Sequence, residues 1–73
     1  MAKSEAHKKF GEKVQKLRKE RGLTQEDLAD FIGVDRSYMG FVERGERNPT
    51  LDKVIKIAKA LKVTLSTLFE DVS

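Results

Sequence analysis

The stretch "RSYMGFVER", Arg36 to Arg44, gathers two guanidinium groups, a hydroxyl, a phenol and a phenyl ring. Those groups suit recognition of flat, polar, hydrogen-bonding edges. On a helix of about 100° per residue, Arg36, Gly40, Arg44, Ser37 and Phe41 fall within an arc of about 140°, with Met39 and Val42 on the far side. One face can bury Met39 and Val42 while the other meets a partner. Arginine can donate two hydrogen bonds to guanine O6 and N7 in the major groove of DNA. Ser37 can donate or accept, and Phe41 can cover a thymine methyl. An interior helical glycine costs about 1 kcal/mol relative to alanine, so an exposed Gly40 wants a reason, and close approach of a partner is one. Tyr38 stands at the edge of this face. Its hydroxyl can reach a phosphate or base edge, or its ring can pack across to the neighbouring helix. Taken alone, the segment is equally compatible with an amphipathic helix that has a polar outside.

The rest of the chain supplies little for catalysis. There is one histidine, His7, and no cysteine. A zinc site or a nucleophile–histidine arrangement cannot be assembled from these. No glycine-rich phosphate loop is present. The expectation is a non-enzyme with no metal and no cofactor. A chain of 73 residues makes one small domain, 1–73, with no room for a small-molecule pocket. Its N-terminus is charged and lacks the apolar stretch of a signal peptide, and no run is long enough to span a membrane. A cytoplasmic location follows as an expectation.

Net charge is +3, unevenly spread. Residues 1–22 carry eight Lys/Arg against three Asp/Glu, residues 23–45 two against five, and residues 46–73 five against four. Such asymmetry fits a phosphate-bearing partner approached from one side, as well as a merely solvated surface. The acidic middle segment must hold its carboxylates away from phosphate. Asp27 and Asp35 are expected to do so as helix caps.

Three capping signals and the apolar spacing place helices and no strands. Phe10, Val14 and Leu17 form the stripe of a first helix over about 6–21, with residues 1–5 as a flexible arm. Thr24 caps a second helix that buries Leu28, Ala29 and Ile32 and ends at Gly33. Asp35 caps a third, which stops at Gly45. Thr50 caps a fourth, with Leu51, Val54, Ile55, Ala58 and Leu61 on one face and Lys53, Lys56 and Lys59 away from it. "LSTLFE" closes with one or two turns. Gly11, Gly22, Gly33 and Gly45 are read as punctuation.

The second and third helices meet across "FIGVD", with Ala29 at the approach and Leu28, Ile32, Val34, Met39 and Val42 turned inward. Residues 25–45, "QEDLADFIGVDRSYMGFVERG", resemble the helix-turn-helix of the lambda-repressor-like (Cro/repressor, XRE-type) family. The resemblance runs over about residues 10–70, through "LRKERGLTQEDLA" and "RNPTLDKVIKIAKAL". The run "DRSYM" followed by "VERGERN" is similar to controller proteins of restriction–modification systems.

The resemblance implies a compact, all-α, five-helix DNA-binding domain. Its third helix would contact bases through Arg36, Ser37, Tyr38, Gly40 and Phe41, Gly40 by permitting approach. Gln25, at the start of the second helix, would contact a phosphate, as would Arg44, Arg47 and Asn48. Lys53 is more simply a solvated lysine. Arg18 and Glu43 would pair between the first and third helices and orient the reading helix. The resemblance also implies a homodimer on a near-palindromic double-stranded operator, with RNA polymerase as a further partner of a bacterial or phage-encoded regulator. Ile57, Leu65, Leu68, Phe69 and Val72 are the interface candidates. At least one of Leu65 and Leu68 is expected to close the monomer core, which leaves Phe69 and Val72 as the stronger pair. The alternative function on the same fold is a protein-interaction module such as an antitoxin. Antitoxins carry an extra segment for their partner, and few residues flank the domain here.

Overall fold

Five short helices are built in the order their capping signals dictate. The computed structural model describes residues 4–70 and 72. Helix α1 spans Glu5–Glu20, α2 Gln25–Ile32, α3 Arg36–Glu43, α4 Leu51–Leu61 and α5 Leu65–Leu68. Each begins on a residue whose oxygen accepts a first-turn N–H: Ser4, Thr24, Asp35, Thr50 and Thr64. These caps satisfy donors that have no partner within the helix. Ser4 and Glu5 therefore open α1 rather than belong to an arm. Residues 1–3 of that expected arm lie outside the described residues.

The start of α2 is a reciprocal cap. Asp27 N donates to Thr24 Oγ1 at 3.0 Å, and Thr24 N donates to Asp27 Oδ2 at 2.9 Å. The backbone bond, followed by the Thr24 hydroxyl, holds the Asp27 carboxyl below its usual pKa. Its contribution to stability is therefore present above the ordinary carboxylate range and lost as pH falls through the lowered value. At the other end, Gly33 closes α2 at φ 78°, a left-handed conformation that a side chain disfavours. Lys62 does the same for α4 at φ 59° without being glycine. Arg21, just past α1, donates from Nε to the Leu61 carbonyl at 2.7 Å and from Nη2 to the Lys62 carbonyl at 3.4 Å. It thus ties the end of α1 to the end of α4.

The core draws on every helix, with Val14, Leu28, Ile32, Met39, Ile57 and Leu61 fully buried. Two features of α4 and α5 correct the sequence reading. Leu51 and Ile55, expected on the buried face of α4, are 69% and 36% exposed. Ile57 and Leu68, both named as interface candidates, are 0% exposed within the single chain, Leu68 being the one of Leu65 and Leu68 that was expected to close the core. They close the core and cannot offer a surface to a partner.

Gly11 is not punctuation either. It lies inside α1, buried where that helix crosses α3. A Cβ there would press on the Val42 and Glu43 carbonyl oxygens and come within 2.7 Å of the Glu43 carbonyl carbon. Backbone cannot swing aside as a side chain can, so the two helices would have to separate. Gly11→Ala should therefore destabilise by about 2 kcal/mol, despite alanine's better helix propensity. A thermal melt should show a fall of about 10 °C. An unchanged midpoint would mean that α1 and α3 have slack.

Candidate nucleic-acid interface

Packing sets α3 in place before any partner arrives. Met39 and Val42 are buried, as their spacing required, and α3 packs on both α1 and α2. The strongest polar restraint is the Arg18–Glu43 pair. Arg18 Nε donates to Glu43 Oε2 at 2.7 Å and Arg18 Nη2 to Oε1 at 3.1 Å. The side chains are 8% and 1% exposed. Arg18 Nη1 also donates to the Leu23 carbonyl at 2.7 Å. A buried two-point pair of this kind fixes geometry because an arginine fork meets a carboxylate in only a few orientations.

Gln25 and Gln15 complete the network. Their Nε2 groups donate to Glu43 Oε1 at 3.0 and 3.4 Å. The Gln25 side chain, expected to contact a phosphate, is thus half-buried and engaged inside the protein. What it leaves at the α2 N-terminus is a second amide hydrogen and unpaired first-turn backbone N–H groups, which favour anions. Gln15 was not foreseen. Its position on α1 one turn before Arg18 was the only available signal.

On the outer side of α3, Arg36 and Ser37 are exposed and make no side-chain hydrogen bond or ion pair among the described residues. Phe41 is exposed beside them. Tyr38 is half-buried and packs against the core, with the Arg47 guanidinium 5.4 Å from its ring centroid. The packing reading of Tyr38 is therefore realised. Asn48 is exposed in the loop that follows.

Gly40 departs from expectation. It is buried rather than open, because the Arg44 side chain lies across it. Arg44 also stands 5.1 Å from the Phe41 ring centroid and pairs through Nε with Glu46 Oε1 at 3.2 Å. Glu46 was missed as a site residue. It follows Arg44 by two positions, and the reversal at Gly45, φ 76°, is what brings its carboxylate to the guanidinium.

The acidic residues of the middle segment are largely withdrawn. Asp35 Oδ1 accepts from Tyr38 N at 2.9 Å, Asp27 caps α2, and Glu43 is buried. Glu26 and Asp30 are exposed on α2. Among the described residues no group of three His, Asp or Glu could hold a metal ion, and no helix is long and apolar enough to cross a membrane.

A second exposed region is apolar. Leu51 and Ile55 on α4, and Leu65 and Phe69 on and just after α5, are at least one-third exposed. Each pair is spaced i, i+4 and so shares a face. Phe69 stacks on Phe10 with ring centroids 5.2 Å apart. A groove of about 300 Å³ runs beside it, lined by residues including Leu51, Val54, Phe69 and Val72.

The sequence profile described as "Helix-turn-helix" matches residues 14–68. Control protein C.MunI from a Mycoplasma species is 46% identical over 65 residues, covering 88% of each chain. Control protein C.SmaI from Serratia marcescens is 46% identical over 59 residues, covering 81% of this chain and 70% of its own. The crystal structure of the restriction–modification controller protein C.AhdI from Aeromonas hydrophila superposes with a TM-score of 0.82 at 48% identity. That superposition covers 85% of this chain and 94% of C.AhdI.

Proposed function

Because this chain belongs to the helix-turn-helix family, we propose that it is a sequence-specific DNA-binding transcriptional regulator of the restriction–modification controller kind. It acts in the cytoplasm as a homodimer on a near-palindromic operator, without catalysis of its own. Bound at a promoter, the dimer would block or recruit RNA polymerase. The observation that carries this reading is the outer face of α3. Arg36, Ser37 and Phe41 stand exposed on a helix whose inner face and buried ion pair fix its orientation. Such a helix can enter the major groove and present its first turns to base edges.

Arg47, Asn48 and the N-terminal end of α2 supply phosphate contacts in this reading. Two copies place their reading helices about 34 Å apart, one turn of the double helix. The interface lies on the exposed apolar face of α4 and α5, through Leu51, Ile55, Leu65 and Phe69, with half-buried Val72 at its margin.

Selection of bound duplexes from a random library tests this directly. A paired motif with half-sites about one helical turn apart supports it. Enrichment of nothing would overturn it and favour a protein-interaction role. Salt provides a second check. If each half-site neutralises about four phosphates, the logarithmic slope of affinity against salt should be about −7. Between 50 and 200 mM salt, affinity should fall by about four orders of magnitude. A flat profile in a titration by fluorescence anisotropy would contradict the assignment.

A further inference from the structure

We propose that Arg44 reads a base rather than a phosphate, and that Gly40 and Glu46 are the residues that make it a reader. The inference rests on the DNA-binding function proposed above and goes beyond it in assigning specificity.

Side chains on a helix lean toward its N-terminus, over the preceding turn. Arg44 caps the C-terminal end of α3, yet its guanidinium is carried back to the middle of the helix. It occupies the space that a side chain at position 40 would need. A Cβ on Gly40 would lie 3.2 Å from Arg44 Nη1, 3.7 Å from Nη2 and 3.8 Å from Cζ. The Phe41 ring flanks the same group, with Cζ 5.1 Å from its centroid. Glu46 Oε1 takes the Nε edge at 3.2 Å. Three neighbours thus restrain the guanidinium plane, and the Nη1 and Nη2 edge remains beside Gly40. Arg36 lies one turn earlier on the same face.

A phosphate contact has no use for this arrangement. It needs charge and reach, and a carboxylate 3.2 Å from the cation weakens attraction to every phosphate. A base contact does need it. Two parallel donors discriminate guanine only if their plane is held, and tethering the Nε edge leaves the terminal edge to meet O6 and N7. Arg47 is the internal contrast. It also lies over an aromatic ring, Tyr38, but has no carboxylate partner among the described residues. It keeps the phosphate role.

The test is duplex selection from a random library, with competition against non-specific DNA at fixed salt. Wild type is compared with Arg44→Ala, Arg47→Ala, Glu46→Gln and Gly40→Ala, each checked for folding by thermal melt. Arg44→Ala should lose base preference at one position per half-site, and Arg47→Ala should weaken all sequences while keeping the motif. Glu46→Gln should relax the position affected by Arg44→Ala while binding non-specific DNA more tightly, lowering the specificity ratio about tenfold. Gly40→Ala should relax that position too, in a protein at least as stable as wild type, since alanine favours helix and the displaced group is a flexible tip. If Arg44→Ala weakens every duplex equally and preserves the motif, Arg44 is a phosphate contact and the inference is wrong. If Glu46→Gln raises affinity for all duplexes by one factor, Glu46 is only a competing charge, which also overturns it. A wild-type protein that enriches no motif would overturn the DNA-binding function itself.

Discussion

Replacing Glu43 with glutamine is expected to lower the melting temperature by more than about 10 °C. Breaking one side of a buried ion pair costs about 3–5 kcal/mol, and about 1 kcal/mol moves the midpoint of a domain this size by 4–8 °C. The local reason is a surplus of donors. Glu43 receives two hydrogen bonds from Arg18 and one each from Gln25 and Gln15. A glutamine offers one acceptor oxygen, and its own amide must face another donor. The Arg18 guanidinium would remain buried without its counter-charge. The total stability available is of the order of 4–11 kcal/mol for 73 residues, so the variant loses a large share of it. Replacing both partners by apolar residues of similar volume, Arg18→Met with Glu43→Leu, should recover much of the loss. If the pair's role is orientation, that stable double variant should still bind the operator poorly. A Glu43→Gln protein with wild-type melting temperature and wild-type affinity would dispose of the idea.

The second large effect concerns assembly. Leu65→Glu should give a folded monomer whose operator affinity falls by about 10²–10⁴, because the second half-site is no longer delivered at high local concentration. Leu65 suits the test better than Phe69. Both are exposed, at 40% and 44%, but Phe69 also stacks on Phe10 within the chain. A charge at 69 would therefore disturb the monomer as well as the interface. Sedimentation of Leu65→Glu against wild type reads the oligomeric state, and a melt confirms the fold. A dimer of unchanged stability would exclude this face as the interface.

The starts of α2, α3 and α4 were legible in the sequence because each is written locally, in a hydroxyl or carboxyl side chain three residues before the N–H it binds, whereas the Ser4 and Thr64 caps of α1 and α5 were not read. The inward faces of α1, α2 and α3 were legible for a similar reason, since their apolar arcs are narrow. On α4 the arc is wide. Leu51, Val54, Ile55, Ile57, Ala58 and Leu61 span about 160° of the wheel, with Ile55 and Ile57 at its opposite edges, and periodicity does not say which edge meets the core. The reading placed Ile55 inside and Ile57 outside, and the packing of α1, α2 and α5 on α4 reverses them. The two misread glycines share a different cause. Gly11 answers to the backbone of α3 and Gly40 to the guanidinium of Arg44. Neither demand appears in the residue's own neighbourhood of sequence. The Arg18–Glu43 pair could be expected only through family resemblance, since its partners are separated by 25 positions.

The link between Arg21 and the end of α4 has a mechanical consequence for the proposed dimer. Only Lys62, Val63 and Thr64 separate α4 from α5. Arg21 grips the carbonyls of Leu61 and Lys62, and Lys62 holds a left-handed backbone turn. With the interface on α4 and α5, this joint becomes the pivot from which each reading helix extends as a lever. A few degrees of rotation at the pivot would move the far ends of both levers by ångströms along the DNA axis. The tolerance for one extra or missing base pair between half-sites is then a property of joint stiffness, set some distance from any residue that touches a base.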